Sequence, residues 1–170
     1  MAEVHHCVAK METEGIAMGG LGEASGIFVG RFDHLLDPKR RLTIPSEWRE
    51  NAGLPGSLYV LPSLQKNRCL SVYPAREMVR KLNNLRSLSI ADDSGRQFAR
   101  LLGSRSQLVP WDSAGRIRIK DELLEYARLT EQVVLIGSIQ SFELWNPELW
   151  KQVSGVSDSE LSEAARQIGF

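Results

Sequence analysis

The 170-residue sequence has little cysteine, no long apolar run and no net charge, and these shortages exclude several classes of protein. Cys7 and Cys69 are too few for a disulfide scaffold, and they fit a reducing compartment better than a bridge to each other. No stretch approaches the roughly 20 consecutive apolar residues that a membrane-spanning helix needs. The first residues are interrupted by acids and lack the apolar segment of a signal peptide. We therefore expect a cytoplasmic protein without a membrane partner.

The zero net charge hides an uneven distribution along the chain. Residues 31–120 carry 17 Lys and Arg against 8 Asp and Glu, whereas residues 121–170 carry 3 against 9. Residues 1–30 are also acidic, with one base and 4 acids. A basic centre is compatible with a surface that faces phosphates, because the local field matters more than the total charge. Chance clustering of solvated charges explains the layout equally well, so charge alone does not distinguish a phosphate-binding surface from an ordinary solvated one.

The chain contains an internal repeat at a spacing of 75 residues. Both copies carry an Asp and an Arg four positions apart, followed by apolar, polar and Ile residues, and then by two apolar runs. A match sustained over this much pattern indicates duplication, or selection for one architecture used twice. The corresponding segments are 37–45 with 112–120, 58–61 with 133–136 and, after a three-residue gap, 70–73 with 142–145.

Each copy predicts the same order of short elements. An extended segment leads into a turn, then a short alternating strand, a helix start and two buried strands. Pro45 suits the first turn of the helix in copy one, and Asp121 gives copy two an acidic helix start. Between the copies, apolar residues spaced by three and four from Pro74 onward predict two helices, the second ending at Gly103.

These patterns predict an α+β, mainly β fold built from two modules and a connector. A module of this size buries too little surface alone, so we expect hairpins swapped between the copies and association into homo-oligomers through unpaired edges. Ser157 and Glu160, at capping-box spacing, predict a short helix near the C-terminus. The predicted boundaries are 1–26 for a disordered extension, 27–76 for module one, 77–105 for a helical connector, 106–152 for module two and 153–170 for an acidic tail.

The two Asp-x-x-x-Arg motifs and their surroundings strongly resemble the MraZ family of bacterial transcriptional regulators, which consist of two SpoVT-AbrB modules. The resemblance implies a swapped-hairpin AbrB-like fold and ring-like oligomers. It also implies binding to repeated promoter sites of the cell-division and cell-wall gene cluster, usually as a repressor on the nucleoid. The motifs that carry it are Phe28-x-Gly30, 36–45 and 70–74 in copy one, and 112–119, 133–137 and 142–145 in copy two.

The sequence departs from the family pattern at four places within and around the resemblance, which covers about residues 28–150. Arg40 stands where a glycine is expected before Arg41, so we expect an altered geometry at the tip of the first turn. Lys120 stands where copy one has Pro45. The N-terminal extension and much of the acidic tail are expected to lie outside the family pattern.

Six residues form the predicted site: Lys39, Arg40, Arg41 and Arg116 as contacts to double-stranded DNA, and Asp37 and Asp112 as organisers of the two turns. An arginine on a β-element can place its two-pronged guanidinium on a guanine edge or on a phosphate. The aspartates would hold these arginines, since carboxylates repel phosphate. The alternative is a salt bridge that only stiffens each turn. Because copy two lacks the neighbouring turn bases, we expect copy one to contribute most of the DNA recognition.

Other classes of function have weaker support in the sequence. No catalytic signature is present, so we expect neither an enzyme nor a cofactor nor a small-molecule substrate. Residues 5–7, His-His-Cys, lack a second cluster of metal ligands. Tyr73, Trp145 and Trp150 could stack on single-stranded nucleic acid, but core packing is the better interpretation. An antitoxin-like partner protein and a purely structural oligomer remain open.

Overall fold

The computed structural model describes residues 26–53, 56–89 and 93–169. The predictions made for residues 1–25, including the extension and the His-His-Cys segment, lie outside the described residues. Cys69 is fully buried, and within the described residues it is a free thiol. Burial, assisted by the nearby Glu143 carboxylate, raises the pKa of Cys69 to about 12, so this side chain remains a protonated part of the core.

The described residues form short strands and helices in the order that the sequence predicts. Each copy supplies four strands, and two helices lie between them. The strands are β1 (Arg31–Leu35), β2 (Arg41–Thr43), β3 (Ser57–Pro62), β4 (Leu70–Pro74), β5 (Gln107–Pro110), β6 (Arg116–Arg118), β7 (Gln132–Gly137) and β8 (Phe142–Trp145). The helices are α1 (Ser46–Ala52), α2 (Ala75–Ser89), α3 (Asp93–Arg105), α4 (Asp121–Tyr126), α5 (Pro147–Val153) and α6 (Asp158–Ile168).

The strands form two antiparallel sheets in which the halves of the chain exchange partners. The larger sheet has the order β1-β7-β8-β4-β3-β5, and the smaller one pairs β2 with β6. Thus β1 of the first half pairs with β7 of the second, and β5 of the second pairs with β3 of the first. The predicted α+β, mainly β fold is confirmed. Neither half can complete its sheet from its own strands.

The core lies between the large sheet and the two-stranded β2–β6 ribbon. Alternation along each ribbon strand turns Leu42 and Ile117 inward, where both are fully buried. Trp48 of α1 packs edge-on against Phe28 at 5.8 Å and beside Phe142 at 4.8 Å between ring centroids. The ribbon is therefore fixed to the body by its apolar face, and its other face meets solvent.

A smaller apolar cluster closes the opposite side of the large sheet. Trp145 is 3% exposed and packs with Cys69 and Val134, while Trp150 of α5 covers it with ring centroids 5.4 Å apart. The core interpretation of Trp145 is thus correct. Sequence reasoning treated Asn146-Pro147 only as a turn, but Asn146 caps α5 by accepting hydrogen bonds from the backbone NH groups of Glu148 and Leu149.

The helices outside the sheets differ from expectation in one detail. The predicted stop at Gly103 is wrong, because α3 continues to Arg105. A glycine inside a helix costs only about 1 kcal/mol, which is too little to end one without a competing cap. The predicted capping box at Ser157 and Glu160 is confirmed at the start of α6. None of the helices in the described part of the chain has both the length and the apolarity required to cross a bilayer.

Candidate nucleic-acid interface

The first turn is organised by the carboxylate of Asp37. Its Oδ1 accepts hydrogen bonds from the backbone NH groups of Lys39 and Arg41, each at 2.9 Å. Its Oδ2 accepts a hydrogen bond from Nε of Arg41 at 2.7 Å and forms a salt bridge with Nη2, also at 2.7 Å. The backbone NH of Asp37 donates to the carbonyl of Arg41, which closes the turn. One side chain therefore fixes both the loop and the guanidinium that follows it.

The second turn repeats this arrangement bond for bond. Oδ1 of Asp112 accepts from the backbone NH groups of Ala114 at 2.9 Å and Arg116 at 3.0 Å. Its Oδ2 accepts a hydrogen bond from Nε of Arg116 at 2.9 Å and forms a salt bridge with Nη2 at 2.8 Å. Nη1 of Arg41 lies 3.9 Å from Oδ2 of Asp112, so the two turns approach each other across the ribbon.

The tip of each turn requires a left-handed residue. In the second turn this is Gly115, with φ of 74°, and in the first it is Arg40, with φ of 60°. The expectation of an altered first turn is wrong, because Arg40 accepts the strained conformation and leaves every hydrogen bond in place. The cost for a residue with a Cβ is about 1–2 kcal/mol.

The β2–β6 ribbon collects arginines on its outer face. The register pairs Arg41 with Arg118, Leu42 with Ile117 and Thr43 with Arg116. Since the apolar pair points into the core, the residues on either side of it in each strand point outward. Sequence reasoning missed Arg118, although the alternation Ile117-Arg118-Ile119 places its side chain on the same face as Arg116.

The remaining predicted residues lie at one end of this ribbon. Lys39 and Arg40 are both exposed at the tip of the first turn. Nε of Arg40 lies 3.6 Å from a carboxylate oxygen of Asp121, at the start of α4. Nε of Arg118 donates to the backbone carbonyl of Lys39 at 3.3 Å, so residues from both halves of the repeat meet here.

The two ends of the ribbon carry unequal charge. The first end holds Lys39, Arg40, Arg41 and Arg118 with Asp37 and Asp121; the second holds Arg116 and Arg49 with Asp112. Nε of Arg49 donates to the carbonyl of Ile44 at 3.2 Å, and its half-buried side chain covers Gly115. The excess of cations therefore concentrates at the first turn.

Both aspartates are held in the ionised form. Desolvation raises the pKa of Asp37, but hydrogen bonds from the backbone and side chain of Arg41 outweigh it, and the pKa lies below its usual value. The side-chain hydrogen bond from Arg116, with its backbone hydrogen bond, lowers the pKa of Asp112. At neutral pH both turns thus retain their carboxylate–guanidinium pairs.

An open groove of about 350 Å³ runs between the ribbon and edge strand β5. Arg41, Arg116 and Arg118 line one side of it, and Leu108 and Trp111 line the other. The arrangement offers several cationic donors beside an apolar wall. It offers no grouping of His, Cys, Asp and Glu that could hold a metal ion within the described residues. Three arginines against the single carboxylate of Asp112 in its lining make this groove suited to binding an anion.

These features define an α+β protein with strands exchanged between its halves and an arginine-bearing β-ribbon on its surface. A family model described as "MraZ protein, putative antitoxin-like" matches residues 104–169. The protein named "Transcriptional regulator MraZ" from Thermomicrobium roseum is 36% identical over 142 residues, which cover 84% of this chain and 97% of the relative. The chain belongs to the MraZ family.

Two further relatives carry the same name, which is that of a regulator of transcription. The protein from Clostridium acetobutylicum is 30% identical over 146 residues, which cover 85% of this chain and 100% of the relative. The protein from Desulforamulus reducens is 32% identical over 142 residues, which cover 84% of this chain and 97% of the relative.

The family match also corrects the expectation for the C-terminal tail. The matched residues 104–169 include α5 and α6, so much of the acidic tail lies inside the family pattern. The Ser157–Glu160 capping box starts α6 within this tail, and the helix buries none of its residues.

Proposed function

We propose that this protein binds double-stranded DNA sequence-specifically through the outer face of the β2–β6 ribbon and thereby regulates transcription. The observation that carries the proposal is the placement of Arg41, Arg116 and Arg118 on one solvent-facing surface, with Lys39 and Arg40 at its end. A two-stranded ribbon is narrow enough to enter the major groove of B-DNA. The fixed backbone behind it would set the depth of entry.

We assign different roles in DNA binding to the predicted site residues. A guanidinium has five N–H donors, and Asp37 engages those on Nε and Nη2 of Arg41. The remaining donors of Arg41 can meet guanine O6 and N7 in a preset orientation. Arg116 is held in the same way by Asp112. Lys39 and Arg40, exposed at the turn, would contact phosphates and position the ribbon without reading sequence.

We propose further that the protein acts as a homo-oligomer, in a ring, on repeated promoter sites. Strands β1 and β5 are the edges of the large sheet, and they carry Leu35 and Leu108 at 68% and 55% exposure. Unpaired edges with exposed apolar residues favour association. Several ribbons on one assembly would then engage successive repeats at a high effective concentration. The modules of this assembly would be residues 27–76 and 106–152, joined by the connector 77–105.

The resemblance to the family guides the choice of target. We propose that the sites lie upstream of the cell-division and cell-wall gene cluster, that the protein represses it, and that it works in the cytoplasm on the nucleoid. A second candidate is an antitoxin-like protein that binds a partner protein. The description of the matching family model favours this candidate, and so does α6, where Leu161 and Ile168 are exposed.

DNase footprinting on the DNA upstream of the protein's own gene separates these functions. Protection of regularly spaced repeats, together with a multimeric mass in solution, is the expected result. Absence of protection at protein concentrations at which the protein is fully assembled would overturn the proposed function. Protection that lacks regular spacing and is abolished by competitor DNA would show electrostatic binding without sequence recognition.

A further inference from the structure

Arg118 differs from the other two arginines on the ribbon. Arg41 and Arg116 each form a hydrogen bond through Nε and a salt bridge through Nη2 with an aspartate, whereas no carboxylate of the described residues forms a salt bridge with Arg118. Its Nε donates instead to the neutral carbonyl of Lys39 at 3.3 Å. Arg118 is exposed, so its positive charge reaches solvent uncompensated.

The backbone around Arg118 is fixed from the neighbouring edge strand. The side-chain amide of Gln107 donates to the carbonyl of Arg118 at 2.9 Å, and its oxygen accepts from the NH of Lys120 at 2.9 Å. The contact with Lys39 then directs the guanidinium toward the first turn. Arg118 is thus positioned by groups from both halves of the chain.

The register places two like charges opposite each other, which a ribbon normally avoids. Arg41 and Arg118 are cross-strand partners, and like charges in that position are destabilising. Asp37 neutralises Arg41, but the charge of Arg118 remains. A phosphate at this end of the ribbon would supply the missing negative charge.

We propose that Arg118 is a phosphate contact that fixes the first end of the ribbon on the DNA backbone, while Arg41 reads a base. The proposal rests on the proposed function and assigns a residue that the sequence motif does not include. The repeat places Thr43 at the position equivalent to Arg118, so only one end of the ribbon has this contact. The two ends would therefore bind the duplex unequally.

The test compares Arg118→Thr with Arg68→Thr. Threonine is already present at the equivalent position 43, so the substitution suits the ribbon. Arg68 is an exposed arginine in the loop between β3 and β4, outside the ribbon and outside both edge strands, and serves as the control. For each protein, binding to a footprinted repeat and to a scrambled duplex is measured from 50 to 300 mM salt.

We expect Arg118→Thr to reduce the slope of log K against log salt by about 0.9 for each engaged ribbon and to weaken both duplexes by the same factor. Arg68→Thr should leave the slope unchanged. An unchanged slope for Arg118→Thr would overturn the phosphate contact. A selective loss on the footprinted repeat would overturn it in favour of base reading. Failure of the unsubstituted protein to prefer the repeat would instead overturn the proposed function.

Discussion

Arg41 and Arg118 are direct partners across the β2–β6 ribbon, although one comes from each half of the repeat. Sequence reasoning assigned most recognition to copy one, because its turn holds the run Lys39-Arg40-Arg41. The pairing shows that this turn shares its end of the ribbon with a residue of copy two. The relevant asymmetry is therefore between the ends of the ribbon, and both ends contain residues of both copies.

Arg41→Ala should remove specific binding while the oligomer persists. The substitution deletes a bidentate contact worth about 1–3 kcal/mol of discrimination, or about 5- to 150-fold, at each engaged ribbon. Gel-shift titration on a specific and a scrambled duplex measures the loss. Arg41→Lys is the matched control for charge, because lysine keeps the positive charge but cannot form two parallel hydrogen bonds to a base. Specific affinity that survived Arg41→Ala would show that the pair with Asp37 only stiffens the turn.

Arg116→Ala should cost less specific affinity than Arg41→Ala. Both arginines are held identically by an aspartate, but the second turn carries Ser113, Ala114 and Gly115 where the first carries Pro38, Lys39 and Arg40. Because fewer cations lie near Arg116, this end of the ribbon would be held less tightly on the DNA backbone around the base contact of Arg116. The same gel-shift series provides the comparison. Equal losses from the two substitutions would contradict the unequal ends of the ribbon.

Lys39→Ala should weaken binding to all duplexes alike. Lys39 is exposed at the turn tip, and only its backbone is used to organise the turn, through Asp37 and Arg118. Loss of its ammonium group should reduce the salt slope by about one without changing sequence preference. Lys66, in the loop between β3 and β4, gives a control lysine outside the ribbon. A changed preference among duplexes would identify Lys39 as a reader of bases.

Arg40→Gly and Gly115→Ala should shift stability in opposite directions. Glycine at position 40 removes the strain of a left-handed arginine, so the melting temperature should hold or rise while DNA affinity falls. Alanine at position 115 adds strain, and its Cβ would lie 2.6 Å from the guanidinium of Arg49. A loss of about 1–3 kcal/mol follows for that variant. Thermal unfolding measures both, and a lower melting temperature for Arg40→Gly would contradict the assigned strain.

Acid should destabilise the protein partly through the two turns. The folded-state pKa values of Asp37 and Asp112 lie below the unfolded value of about 3.9, so their contribution is fully present above that pH. It is lost as the pH falls through the folded pKa values. The double variant Asp37→Asn/Asp112→Asn should flatten this limb of the stability curve, measured by urea unfolding between pH 2 and 6.

Glu160 supplies the control for the acid experiment. Hydrogen bonds from the backbone and side chain of Ser157 lower its pKa too, but α6 buries no residue. Glu160→Gln should therefore fray that helix without moving the global acid transition. An acid limb in the double aspartate variant identical to that of the unsubstituted protein would show that the turns do not couple to global unfolding.

The sequence predicts the elements of this fold better than their ends and partners. Short continuous apolar runs encode β3, β4, β7 and β8, because each strand buries at least one face. The end of α3 was missed because Gly103 is exposed in open space, where a missing side chain disturbs no packing. The start of α5 was missed because Asn-Pro marks both a turn and a helix cap.

The repeated motif allowed most of the candidate site to be predicted. The residue whose position depends on strand register was missed. The spacing of Asp37 and Arg41 allows a turn in which one carboxylate meets both the loop and the guanidinium. Arg118 belongs to no such motif, and its position opposite Arg41 follows from pairing between strands 75 residues apart. Local pattern cannot specify such a partner, because the register is set by the core beneath Leu42 and Ile117.

Because strands are exchanged between the halves, a strand and its partner are synthesised at different times. Strand β1 pairs with β7, about 100 residues later, so at about 5–20 residues per second its partner follows by about 5–20 s. During that interval the first half has an apolar core and unpaired strand edges but no second half to cover them. A neighbouring nascent chain could donate the missing strands equally well. Synthesis on crowded ribosomes should therefore yield intertwined dimers alongside correctly closed chains.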